Sequence, residues 1–150
     1  MDFKLSEQEK MIQNMAKEFA DKTVRPRAVE IDKTNEIPLE MMKEMQGLGL
    51  FGLPYPKEYG GVGAGYLSHV LAVEQIARAS AAVAATIPIQ ALAEEPLFRH
   101  GSEEQKRKFL TPALEGKEIL CFGFTEPATG SDPRAMTATA RPEGDYYFLN

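Results

Sequence analysis

The hydrophobic period of this chain changes once, at Gly116, and no other feature limits its possible folds as strongly. Before Gly116 apolar residues recur at three- and four-residue spacing, the period of helices packed on one face. The opening stripe is Met11, Ile12, Met15, Phe19 and Ala20. Ser6, followed three residues later by Glu9, is a capping box that starts it. Pro26 predicts an interruption near Arg25 before the helix continues toward Asp32. A second helix is expected from Pro38 through Leu39, Met42 and Met45 to Gly47, with Pro at the entry and Gly at the exit. The stretch Phe51-Gly52-Leu53-Pro54-Tyr55-Pro56-Lys57-Glu58-Tyr59-Gly60-Gly61 is too rich in Pro and Gly for a regular element and reads as a long loop.

From Tyr66 to about Ala85 the chain is apolar on most faces, which predicts a central helix covered by its neighbours and ended by Pro88. Leu92 to Phe98 predicts a further helix closed by Gly101. Ser102-Glu103-Glu104-Gln105 is a second capping box, opening a helix with Phe109 and Leu110 inside and Gly116 as its stop. After Gly116, Ile119-Leu120-Cys121-Phe122-Gly123-Phe124 reads as a buried strand. Met136 to Arg141 favours a strand weakly, Pro142-Glu143-Gly144-Asp145 a turn, and Tyr146 to Leu149 a strand. The expected fold is mainly α: a bundle-like helical domain over 1–117, followed over 118–150 by the first strands of an incomplete β domain. Unpaired edges and uncovered apolar surface make this read as a truncated chain.

Composition narrows the function classes. In 150 residues, 43% are apolar, enough for a packed interior. Seventeen Lys and Arg stand against 22 Asp and Glu, a net charge of −5 that gives no positive field for nucleic acid. One cysteine, Cys121, excludes an internal disulfide and a thiolate metal cluster, and inside a buried strand it reads as a small core residue. No stretch reaches the roughly 20 apolar residues of a membrane span. The charged start MDFKLSEQEK resembles neither a signal nor a transit peptide, so a bacterial cytoplasmic location is expected.

Candidate chemistry gathers in Phe124-Thr125-Glu126-Pro127-Ala128-Thr129-Gly130-Ser131-Asp132. Hydroxyls, carboxylates and glycines leaving a strand can present donors to an anion or a heteroaromatic ring. On residue types alone the first reading is a polar turn, with Glu126 and Asp132 satisfying local backbone donors. His69 and His100 are too few and too far apart for a metal or a triad; His69 reads as a core histidine and His100 as a helix-end charge. The methionines at 11, 15, 41, 42 and 45 read as adaptable packing, and Arg25 and Arg27 as surface charges.

The run Phe122 to Asp132 closely resembles the flavin-binding signature of the acyl-CoA dehydrogenase family. His100 to Leu110 resembles that family's helix before the sheet, and Lys57-Glu58-Tyr59-Gly60-Gly61 its loop after the second helix. The likeness runs through the whole chain in order. Two residues depart from the pattern: Phe124, where a smaller aliphatic residue is usual, and Thr129, where Gly, Ser, Ala or Asn is commoner. The resemblance implies an FAD enzyme that oxidises acyl-CoA thioesters to trans-2-enoyl-CoA. It implies that Thr125 hydrogen-bonds the isoalloxazine edge beside Phe122 and Phe124. Gly130 and Ser131 are implied near the flavin's phosphate arm, with Ser131 also facing the thioester. Ile87, Ile89 and Leu92, around Pro88, are implied as the floor of the acyl cavity. The second flavin-contacting stretch and the catalytic carboxylate base are expected beyond Asn150, so no catalytic residue is assigned and this piece alone is expected to be inactive.

Electron-transferring flavoprotein as electron acceptor and a homotetrameric assembly are implied as well. Two alternatives stand beside this reading. One keeps the fold but changes the oxidant, as in acyl-CoA oxidases or flavin monooxygenase relatives. The other is a non-catalytic helical interaction module.

Overall fold

The computed structural model describes residues 4–150; the first three residues of the predicted 1–117 helical domain lie outside the described ones. Helix α1, Glu7–Phe19, opens on the capping box: Glu9 N–H donates to Ser6 Oγ at 3.3 Å and Ser6 N–H to the Glu9 carboxylate at 2.6 Å. It runs without a break through a π turn, Ala20–Val24, and a 3₁₀ turn, Arg25–Arg27, into α2, Ala28–Thr34. The irregular turns coincide with Pro26, which lacks the donor a regular helix needs there. Helix α3, Leu39–Gly47, follows Pro38. Of the methionines, Met41 and Met45 are buried, Met15 and Met42 half-buried, and Met11 exposed, so only part of that set is core.

The Pro- and Gly-rich stretch is irregular apart from one 3₁₀ turn, Lys57–Tyr59, yet Phe51, Leu53, Tyr55 and Tyr59 on it are buried. Backbone bonds within it, such as Val62 N–H to Gly52 O at 2.9 Å and Gly63 N–H to Tyr55 O at 2.8 Å, satisfy groups that burial removes from water.

The next helices differ from the sequence expectation. Helix α4 spans Gly65–Ala77 and α5 spans Ala81–His100, so the break falls at Arg78–Ser80 and not at Pro88. The cause is local: Ser80 Oγ caps α5 by accepting Val83 N–H at 3.3 Å. Pro88 and Pro96 both sit inside α5, which therefore includes the predicted Leu92–Phe98 segment. Nor is α4 covered all round. It buries Ser68, Ala72, Gln75 and Ile76, while Tyr66, Leu67 and Val70 are exposed.

The second capping box closes at Ser102, where Gln105 N–H donates to Ser102 Oγ at 3.2 Å and Ser102 N–H to Gln105 Oε1 at 2.8 Å. It starts α6, Glu103–Gln105, a π turn Lys106–Leu110 and α7, Thr111–Leu114. Leu110 is buried as expected, but Phe109 is exposed, because the π turn shifts the register of the inner face. Gly116 then takes a left-handed φ of 75°, and a Cβ there would lie 2.5 Å from the Gln46 side chain.

The main core joins Ile12, Ala16 and Phe19 of α1 to Met41 and Met45 of α3, Ile76 of α4 and Val83 and Ile87 of α5. A second cluster, Tyr55, Tyr59, Leu110 and Leu114, joins the 51–61 stretch to the last helical turns, with Phe98 edge-on to both tyrosines. Each such large side chain, fully buried, contributes about 1.5–3 kcal/mol. Two strands end the described chain: β1, Ala140–Glu143, pairs antiparallel with β2, Tyr146–Leu149, through a two-residue turn at Gly144–Asp145. Pro142 and Glu143 thus belong to the strand and not to the turn, and the strand begins at Ala140, later than Met136.

Candidate functional site

Residues 119–124 do not form the buried strand that their apolar pattern predicts. They pair with no strand among the described residues, and Ile119, Cys121 and Phe122 are exposed. A strand is a relation between two segments, and apolar β-formers specify only one of them. Cys121 is accordingly an exposed free thiol and not a core residue. The segment is anchored at one point: Leu120 N–H donates to Gln90 Oε1 of α5 at 3.0 Å.

The loop that follows is built on a tight backbone pair. Glu126 N–H donates to Thr129 O at 3.0 Å, and Thr129 N–H to Glu126 O at 3.1 Å. The Glu126 carboxylate then turns inward. It accepts Thr137 N–H at 2.9 Å, Thr137 Oγ1 at 2.7 Å and Ala138 N–H at 3.1 Å. These bonds, the Thr137 backbone first, hold the carboxyl below its ordinary value. Asp132 does the same for Arg134, whose guanidinium and backbone N–H lower its ionisation. Both carboxylates are structural, as the turn reading expected.

With its acidic groups tied back, the loop leaves a different set outward. Thr125, Gly130 and Ser131 are exposed, and a Cβ built on Gly123 or Gly130 would meet nothing within 4 Å. Phe122 and Phe124 stack with ring centroids 5.4 Å apart and planes 13° off parallel. Thr129 is buried and its Oγ1 has no hydrogen-bond partner among the described residues. Free hydroxyls, open glycines and a flat aromatic pair suit a large planar ligand with an anionic arm.

The residues expected at an acyl cavity divide. Ile87 is wholly buried in the main core, whereas Ile89 and Leu92 are exposed on the opposite side of α5. Ile89 lines a cavity of 160 Å³ with Phe51, Thr86, Gln90, Ile119 and Leu120, at the junction of helical layer and loop segment. The junction at Pro88 that motivated the trio does not exist, since α5 is continuous there.

Two buried polar residues of α5 escaped the sequence reading. Glu94 is fully buried, neither carboxylate oxygen has a hydrogen-bond partner, and loss of water pushes its ionisation up to about 8. Gln90 lies one turn before it. The signal was present: Val83, Ile87, Gln90 and Glu94 recur at helical spacing along one stripe. His69 is buried, and its Nδ1 has no partner; burial lowers its ionisation. His100 is the last residue of α5.

Among the described residues no group of three or more His, Cys, Asp or Glu could hold a metal, and no helix is long and apolar enough to cross a membrane. The helical layer and the strands after it superpose on butyryl-CoA dehydrogenase from Megasphaera elsdenii with a TM-score of 0.93 at 35% identity, covering 100% of this chain and 40% of that one. The family profile described as acyl-CoA dehydrogenase, N-terminal domain, matches residues 6–117, and the chain belongs to this family. It is 44% identical over 147 residues to 3-(aryl)acrylate reductase of Clostridium sporogenes, covering 97% of this chain and 39% of that protein. It is 42% identical over 148 residues to a caffeyl-CoA reductase-Etf complex subunit of Acetobacterium woodii, again covering 97% and 39%. The chain thus spans about two fifths of the length of the relatives it matches.

Proposed function

We infer that this chain is the N-terminal part of an FAD-dependent acyl-CoA dehydrogenase, with a helical domain over 1–117 and the start of a β domain over 118–150. The observation that carries the reading is the loop 122–131: its carboxylates are bound internally, while Thr125, Gly130 and Ser131 point free groups outward beside the Phe122–Phe124 pair. The flavin, when bound, supplies the hydride acceptor. Thr125 would donate to the edge of its ring, and Gly130 and Ser131 would hold its phosphate arm, with Ser131 reaching the thioester. Ile89 and Leu92, on the exposed side of α5, would meet the acyl tail; Ile87 would support them from the core behind.

On this reading the α-proton base would lie beyond Asn150. Glu126 cannot take that role, because three donors already occupy its carboxylate. Electron-transferring flavoprotein as partner is supported by the name of the Acetobacterium relative. A homotetramer and a cytoplasmic location complete the proposal. A second reading is favoured by the two reductases among the relatives: the same chemistry run backwards, with electrons delivered to an enoyl thioester or acrylate.

The test is spectroscopic. The complete protein, loaded with FAD and freed of excess, is expected to bleach anaerobically on adding butyryl-CoA or octanoyl-CoA, and its dithionite-reduced form to recolour on adding an enoyl-CoA. The relative rates decide the physiological direction. Protein that retains no flavin, or flavin that responds to neither class of thioester, overturns the reading.

A further inference from the structure

Gln90 lies on the buried stripe of α5, between Ile87 and Glu94. An amide placed there loses its water and must find partners inside the protein. Its Oε1 accepts Leu120 N–H at 3.0 Å. Among the described residues this is the side-chain hydrogen bond that ties the helices to the segment entering the 122–131 loop.

An amide has two ends of opposite character. Turned over, it would set its NH₂ against the Leu120 N–H, donor against donor. The orientation therefore needs a cause, and the candidate is one helical turn along. Residues four apart on a helix are neighbours, and Glu94 is fully buried on the same stripe. Ionised, it only accepts; neutral, it keeps an accepting carbonyl oxygen. Neither Glu94 oxygen has a hydrogen-bond partner, so a buried acceptor lies unpaired one helical turn from the Gln90 amide. Tyr55 packs on the same helix but donates its hydroxyl to Ala91 O at 3.0 Å and not to Glu94.

We propose that Gln90 and Glu94 are positioning residues: Glu94 turns the Gln90 amide so that its Oε1 meets Leu120, and this pins the entry of the 122–131 loop against α5. The consequence for the flavin rests on the reading given above, whereas the anchor concerns only this chain's own atoms. Loosening it would let Phe122 and Thr125 move together relative to the helical layer, without altering any group that touches the ligand.

Amide hydrogen exchange at Leu120, measured in the complete protein, reads the anchor directly. In Gln90→Met, which keeps the length but removes the acceptor, Leu120 is expected to exchange about tenfold faster, as for loss of one hydrogen bond. Glu94→Leu is expected to move Leu120 in the same direction although it does not touch that residue. Glu94→Gln keeps an acceptor and is expected to restore protection to within about twofold of wild type. Ile76 and Val83 amides should keep their rates throughout, which separates this role from general loss of packing. Wild-type protection at Leu120 in Gln90→Met, or equal loss in Glu94→Gln and Glu94→Leu, overturns the proposal. The flavin absorbance, recorded on the same samples, keeps the two readings apart. Faster exchange at Leu120 with an unaltered flavin band supports the anchor and counts against flavin contact by the loop.

Discussion

Glu126 and Thr137, eleven residues apart, are joined twice: the carboxylate accepts both the backbone N–H and the side-chain hydroxyl of Thr137. With the Ala138 N–H as a third donor, one half-buried side chain closes the loop. The Thr137 backbone bond leads the causes that lower the Glu126 ionisation below its ordinary 4.5. A carboxyl depressed in the folded state stabilises above its unfolded pKa, and that contribution is lost as pH falls through the folded value. Protection of the Thr137 and Ala138 amides, taken relative to their intrinsic exchange rates at each pH, is therefore expected to be high at neutral pH and to fall in acid below pH 4.5. Glu126→Gln, with one accepting oxygen, should protect these amides less at neutral pH and lose the acid dependence of their protection. An acid dependence that survives in Glu126→Gln would assign it to another group.

Glu94 behaves in the opposite sense. Burial raises its ionisation from 4.5 to about 8. Between those values the unfolded chain has lost this proton while the native state keeps it, so stability falls as pH rises across the window. At about 1.36 kcal/mol per unit, the full loss is several kcal/mol. Glu94→Gln removes the titration. Its Tm should lie above wild type at pH 8 and converge toward it near pH 5. Parallel Tm curves for the two proteins between pH 5 and 9 would sink this account.

Glycines at two positions should respond with opposite signs. A Cβ at Gly61 would lie 2.2 Å from the Tyr55 carbonyl oxygen and 2.6 Å from its carbon, both backbone atoms held in the buried 51–61 stretch. Gly61→Ala is expected to cost about 1–3 kcal/mol or more. At Gly47, the last residue of α3, a Cβ meets nothing within 4 Å. Gly47→Ala should stabilise by up to about 0.5–1 kcal/mol. Denaturant midpoints for the two variants check the pair.

Much of the helical layer was legible because its signals are local. A capping box needs only Ser6 and Glu9, or Ser102 and Gln105, and both close as read. Ser80 lacks an acidic or amide partner three residues on, so its plain cap is a weaker local signal than Pro88, which a long helix nonetheless absorbs. The family resemblance of the 122–132 run identified the loop, and the turn reading placed Glu126 and Asp132 correctly as binders of local donors. What could not be read was burial that depends on a partner. Ile119, Cys121 and Phe122 carry the pattern of a core strand without a strand beside them. Glu94 failed in the other direction: the pair Glu94-Glu95 looks like a solvated face, yet Glu95 meets Tyr66 and Arg99 at the surface while Glu94 points into the core.

Thr125 gives the sharpest test of the proposed flavin contact. It is exposed, and no hydrogen bond within the described residues engages its hydroxyl. Valine has nearly the same volume, so Thr125→Val should leave the fold intact and its stability within about 0.5 kcal/mol of wild type. If the hydroxyl donates to the flavin ring in the complete protein, the variant loses one hydrogen bond to the bound cofactor, about 0.5–1.5 kcal/mol and more if the ring atom is left buried without a partner. Because that bond would be stronger to the electron-rich reduced ring, the loss should appear as a lowered reduction potential and slower anaerobic bleaching by acyl-CoA. Flavin retention should change less than either. A variant with wild-type spectrum, potential and bleaching rate would remove Thr125 from the flavin contact and leave Phe122, Gly130 and Ser131 to carry it.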